Sequence, residues 1–269
     1  MLVSSVSVEK SKASGSFFLS AVVAVGIPTG TLKAADGPVS SGIPQGYNLV
    51  YEQTFDQPAA LQDFVVSDPA AWRHTVSNKI TAFELAQQSQ YKTIVRSPFN
   101  IALLADKVVG DFVLEADLIQ TGKEYGHRDM CLFFGFKSPT NFYYAHLATA
   151  ADEHAHNIFI VNGAPRTKIA KQTTAGVNWG LGVWHKVRLE RRLADGAIRV
   201  YFDDLAKPIM VAEDKTFGAG HVGFGSFDDT GMVDNIRLWA PNVETRRIDC
   251  FSPPLKRLRL DAGASSKAR

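Results

Sequence analysis

WHKVRLERRLADGAIRVYFDD, residues 184–204, decides the fold class. It is two runs of alternating apolar and polar residues joined through Asp195-Gly196. Period two is the pattern of a strand with one buried face. Asp-Gly between two such runs predicts a hairpin, because a type I′ turn needs positive φ at both central positions. Toward the C-terminus, KPIMVAED, GHVGFGSF and MVDNIRLWA continue the theme until Pro241 ends it. Toward the N-terminus, HNIFIVNG, FYYAHLA, DMCLFFGF, GDFVLEADLIQTG, TAFELAQ and YNLVYEQTFDQ are further runs set between turn residues. In GDFVLEADL, Phe112, Leu114, Ala116 and Leu118 fall on one face, with Glu115 and Asp117 on the other. No segment carries a helical period over three turns. About a dozen short strands with regular turns predict an all-β, two-sheet antiparallel jelly-roll sandwich.

The size allows one such domain, with enough apolar content for a core that needs no staples. The two cysteines are read as free: Cys131 sits inside an apolar run and Cys250 lies far downstream. With no C-x-x-C, zinc-ribbon and thioredoxin-type readings fall away. The net charge is +2 but unevenly spread. The first 35 residues carry +2 and those from Glu244 onward +4, which leaves −4 on the body. A mildly acidic body argues against nucleic acid as a partner.

Residues 1–35 read as an export signal. Lys10 and Lys12 precede the apolar FFLSAVVAVGIPTGTL, which Gly26, Pro28 and Gly30 keep from being a membrane span. The mature chain is therefore expected to be secreted or periplasmic, with no membrane span. Residues 36–46 read as a linker, 47–240 as the jelly-roll domain, and 241–269 as a basic, flexible tail.

The order W-H-K-V-R-L-E (184–190), Asp-Gly, IRVYFDD (198–204), G-H-V-G-F-G-S-F (220–227) and V-D-N-I-R-L-W (233–239) resembles the concanavalin A-like lectin/glucanase and laminin G-like jelly rolls. Within that group the chain looks most like bacterial 3-keto-disaccharide hydrolase-like domains. The resemblance covers about residues 47–240. It implies a carbohydrate partner, and either a glycan hydrolase or lyase or a non-catalytic, lectin-like module. One fold hosts many functions, so the site has to decide.

Candidate site residues concentrate between His127 and Arg166, which holds four of the seven histidines. If FYYAHLA and HNIFIVN pair with His146 opposite His156 and Tyr144 opposite Ile158, then Phe142, Tyr144 and His146 share one face. Tyr143, Ala145 and Leu147 make the core face. Tyr144, His146, His156 and Arg128 are then a candidate acid–base group, with Asn157, His154 and Arg166 as ligand-binding partners. Tyrosine and histidine remove protons, and arginine stabilises the negative charge that results. The same residues also suit plain sugar binding. His146, His154 and His156 with Asp152 or Glu153 suit a metal. Side chains that merely decorate a sheet are a further reading. Ordinary glycosidases need two flanking carboxylates, and no E-x-D-x-E strand is present. No cofactor is required. Asp228, Asp229 and Asp234 make a second acidic group with Glu52 and Asp56 near the first strand, and the aspartates of FDDTG read first as turn-forming; Glu52, Asp56 and Asp234 are also candidate ligands of a structural calcium, because carboxylates and carbonyls suit that ion.

Overall fold

The computed structural model describes residues 42–77 and 80–251. The expected export signal, residues 36–41 of the linker and residues 252–269 of the tail lie outside the described residues. The described strands are β1 (Asn48–Gln53), β2 (Phe64–Val66), β3 (Trp72–Ser77), β4 (Ile80–Leu85), β5 (Asn100–Val109) and β6 (Phe112–Gln120). They continue with β7 (Asp129–Ser138), β8 (Asn141–Ala148), β9 (Asn157–Asn162), β10 (Thr167–Lys168), β11 (Ala170–Thr173) and β12 (His185–Arg192). The last five are β13 (Ala197–Phe202), β14 (Met210–Glu213), β15 (Gly220–Ser226), β16 (Gly231–Ala240) and β17 (Val243–Thr245). One 3-10 turn, Pro58–Asp63, is the helical element among the described residues.

These strands form two antiparallel sheets packed as a jelly-roll sandwich. The nine-stranded sheet runs β11-β14-β13-β12-β6-β16-β4-β3, with β1 added on β16. The eight-stranded sheet runs β10-β9-β8-β7-β15-β5-β17, with β2 added on β5. Period two fills the space between them. Phe112, Leu114, Ala116 and Leu118 of β6 face Met130, Leu132 and Phe134 of β7 and Tyr143, Ala145 and Leu147 of β8 in one core. Burying each large apolar side chain there contributes roughly 1.5–3 kcal/mol.

Two sequence expectations shift in detail. The 184–204 hairpin forms, but Arg192 pairs with Ala197, so the loop has four residues rather than two. Only Gly196 takes positive φ (76°), and its N–H donates to Leu193 O at 3.2 Å. Asp195 instead binds Arg192 and accepts from Ala197 N at 3.2 Å. The body also runs past Ala240. β17 pairs with β5, and Arg246 N and Ile248 N continue the ladder onto Asp106 O and Ala105 O. Residues 243–248 therefore belong to the sandwich, because β5 has an edge whose N–H and C=O groups need partners.

Outer faces are covered as well. On the nine-stranded sheet the buried Arg188 holds the buried Glu115 through Nε at 2.7 Å. On the eight-stranded sheet a second apolar cluster gathers Cys131, Phe133, Phe142, Tyr144, Phe159 and Val161. Val65, Val95, Ile248, Cys250 and Phe251 pack over it. Cys131 and Cys250 are both free thiols.

Candidate functional site

The outer face of β7, β8 and β9 positions the candidate residues. Alternation puts Tyr144 and His146 there, as expected, but the register with β9 differs by one residue. His146 stands opposite Asn157 and Tyr144 opposite Phe159. The cause is the loop before β9. Asp152 Oδ1 accepts from His154 N (2.6 Å) and Ala155 N (2.9 Å), and His156 then takes φ 49°. The ladder starts only at Asn157, so His156 never enters it.

That slip removes His156, and the four candidate acid–base residues do not come together. His156 is fully buried, with Nε2 2.9 Å from Thr174 Oγ1. Burial, with the nearby His146 charge adding, pushes its pKa down to about 4. Arg128 points between the sheets, where Nε binds the Gln120 side chain and Nη2 donates to Gln120 O at 3.0 Å. Tyr144 is on the right face but is fully covered. Its ring stacks on Phe159 at 5.1 Å, and its hydroxyl has no hydrogen-bond partner among the described residues. Burial holds that hydroxyl well above the ordinary tyrosine pKa. Asn157 is buried too, its Oδ1 accepting from Ala170 N at 3.1 Å. Of the residues singled out in the sequence, His146, His154 and Arg166 come together.

They meet at a cavity of about 110 Å3 at the uncovered end of this face. His146 lines it beside Phe227 and Asp228, and Arg96, Tyr125, His127, His154 and Arg166 surround it. Arg166 lies over the Phe227 ring at 4.2 Å and the Phe159 ring at 5.2 Å. Its Nη2 donates to His154 O at 2.9 Å, while its buried Nη1 has no partner among the described residues. Tyr125 donates to Asp229 Oδ2 at 2.8 Å, and His127 Nε2 meets Asp152 Oδ2 at 2.5 Å. Sequence reading missed Arg96, Tyr125 and Phe227. Phe227 ends the run read as the strand GHVGFGSF, and Arg96 lies two residues before Pro98, outside the stretch from His127 to Arg166.

Beneath the cavity lies a buried carboxylate. Asp129 accepts from Ser226 Oγ (2.8 Å), Phe227 N (3.0 Å) and Cys131 Sγ (3.2 Å). His146 Nε2 is 3.2 Å from Asp129 Oδ2, at an angle outside hydrogen-bond geometry. Burial alone raises the pKa of Asp129, but the His146 charge and these donors outweigh it and hold the pKa below the usual value. Asp229 is pushed the other way, up to about 6, by burial first, with the Asp129 and Asp228 charges adding.

The three candidate calcium ligands also separate. Glu52 pairs with Arg237 Nε at 2.8 Å and leaves the set. Asp56 and Asp234 line one cleft of about 540 Å3 with Asp117 and Trp184. Asp234 is pushed up to about 6 by burial, with the Asp117 and Asp56 charges adding. Asp117 already binds Lys186 Nζ and Asn235 Nδ2, both at 2.8 Å. Two of the three residues thus line one cleft, and Glu52 does not.

No family model matches the chain, and no curated protein does. Solved structures do. The chain is similar to the GH43 BlXynB protein from Bacillus licheniformis at 12% identity and a TM-score of 0.51, covering 70% of this chain and 39% of that one. It is also similar to a carbohydrate-binding module from Bacillus subtilis, at 18% identity over 65% of this chain and 93% of that one (TM-score 0.47). A Lotus tetragonolobus seed lectin gives 10% identity over 74% and 99% (TM-score 0.45). At such identities the likeness is one of fold.

Proposed function

We propose that this chain is an exported carbohydrate-recognition jelly roll, with its sugar site at the cavity around His146. The observation that carries the reading is the ring of donors there. Arg96, Arg166, His127, His154 and Tyr125 surround one pit, and Arg166 Nη1 has no partner among the described residues. Such a ring favours an acceptor-rich ligand, and a carboxylate-bearing sugar over a neutral one. A cavity this small takes the end of a chain rather than its middle. The neighbours named above include a carbohydrate-binding module and a lectin, which supports the same reading. Recognition without turnover is favoured because Tyr144, His156 and Arg128 do not reach the cavity. We also propose a structural calcium in the cleft that Asp56 and Asp234 line, where burial, with the Asp117 and Asp56 charges adding, already disfavours the Asp234 carboxylate.

Asp229 favours a second reading. Asp229 lies behind the cavity wall, accepting from Tyr125, which lines it; a carboxyl there pushed up to about 6 suits a general acid, so hydrolysis or lysis of 3-keto-disaccharides or uronic-acid polymers would run through it. A calorimetric and product-release panel of neutral, uronic and 3-keto saccharides separates the two. Binding without product, weakened tenfold or more by Arg166→Gln and by Tyr125→Ala, supports recognition; tenfold corresponds to about 1.4 kcal/mol. Affinity indifferent to both substitutions, or no binding across the panel, refutes it. Product formation abolished by Asp229→Asn selects the second reading.

A further inference from the structure

We infer that Asp129, Cys131 and His146 form a binding site for a transition-metal dication of borderline softness, zinc above all. Strand geometry builds the site. Asp129 and Cys131 are two residues apart on β7, and His146 stands directly opposite Cys131 on β8, so all three side chains leave the same face. Sγ, a ring nitrogen and a carboxylate oxygen lie within 4.8 Å of one another. Asp129 Oδ2 is the hub, 3.2 Å from Cys131 Sγ and 3.2 Å from His146 Nε2. Ligand atoms at zinc's usual bond lengths around one tetrahedral ion stand about 3.3–3.5 Å apart. Both distances to the hub are within a few tenths of an ångström of that spacing.

His146 supplies the independent observation. It is 3% exposed, yet neither ring nitrogen has a hydrogen-bond partner among the described residues. An imidazole buried in that state costs free energy, and an ion on Nε2, which now meets only Asp129 Oδ2 at 3.2 Å, removes the share that falls on that nitrogen. One sulfur, one nitrogen and one oxygen donor select zinc or its neighbours over calcium and magnesium, which take oxygen ligands. Thiolate and carboxylate together neutralise the dication, and the Cys131 thiol passes its proton to solvent on binding. Ser226 Oγ and Phe227 N already fix the Asp129 carboxylate, as metal sites require of the groups behind their ligands. The fourth position faces the cavity, because His146 and Asp228 both line it. This site stands without the sugar reading.

The test uses the full chain, stripped with a chelator and titrated with the metal alone. One equivalent of Co2+ is expected to give tetrahedral ligand-field bands and a sulfur-to-cobalt charge-transfer band, both displaced by Zn2+. Cys131→Ser should remove the charge-transfer band, and His146→Gln should weaken binding tenfold or more, each with the native circular dichroism spectrum. Cys250→Ser controls for the second free thiol, since the band must survive it. Folded wild-type protein that takes up no cobalt, or a band lost in Cys250→Ser, overturns the inference and leaves the triad a hydrogen-bonded Asp–Cys pair beside a histidine.

Discussion

Replacing Tyr144 by phenylalanine should stabilise this protein. The Tyr144 side chain is fully buried on the outer face of β8, stacked on Phe159 and close to Phe133 at 6.1 Å. Its hydroxyl finds no partner among the described residues. Leaving a hydroxyl buried and unpaired costs roughly 1–3 kcal/mol in folded proteins. Phenylalanine keeps the ring and every stacking contact and loses one oxygen, so the void it leaves is small. The packing loss offsets part of the gain, and a net stabilisation of about 1 kcal/mol is expected. In a domain of this size that raises Tm by about 2–4 °C. Urea unfolding should show the midpoint rising at constant m-value, which identifies a change in stability alone. Glycan affinity should not change. A destabilisation of 1 kcal/mol or more, or a lost activity, would show that the hydroxyl has a partner or a role, and the account of this face as a closed apolar layer would be wrong.

His156 makes stability depend on pH. Its folded pKa, about 4, lies below the unfolded value near 6.5, so the unfolded chain binds the proton first. Its contribution is complete above about 6.5 and is lost as pH falls toward 4, at most about 3 kcal/mol. Denaturant midpoints from pH 7 to pH 4 should fall less steeply in His156→Gln than in wild type; parallel curves would contradict this. Arg188→Met should cost roughly 3–5 kcal/mol, because it leaves the buried Glu115 carboxylate without its guanidinium, whereas the double change Arg188→Met with Glu115→Leu should recover most of that loss in the same urea assay.

Much of the fold was legible because strands with one buried face leave a record at every second residue. The β6 face of Phe112, Leu114, Ala116 and Leu118 and the β8 face of Tyr143, Ala145 and Leu147 were read correctly from period alone. The site was not, for two physical reasons. A single left-handed residue, His156, moved the start of β9 by one position, and no hydrophobic pattern encodes that. The cover over the outer apolar cluster that holds Tyr144 comes in part from Val95 and Phe251, far along the chain in stretches with no period of their own. The Asp129–Cys131–His146 group was nearer to legible. Asp129 and Cys131 share a strand face by spacing, and His146 follows from the next hairpin. The bulge between Phe134 and Ser138 shifts that hairpin by two residues, which preserves which side each residue faces.

The cover supplied by residues 243–251 also bears on the order in which the molecule can be finished during synthesis. Until Val243–Thr245 reaches β5, that strand keeps an open edge. Until Ile248 and Phe251 arrive, the outer apolar cluster that holds the Phe136–Phe142 stack lacks part of its cover. A ribosome that has released everything through β16 has therefore made both sheets but not a soluble surface. A nascent chain stalled there presents an adhesive face and a pairing edge together, the combination that recruits chaperones or other copies of itself. Fusion partners and affinity tags belong beyond Phe251, because a junction at Ala240 would hold the protein permanently at that unfinished stage.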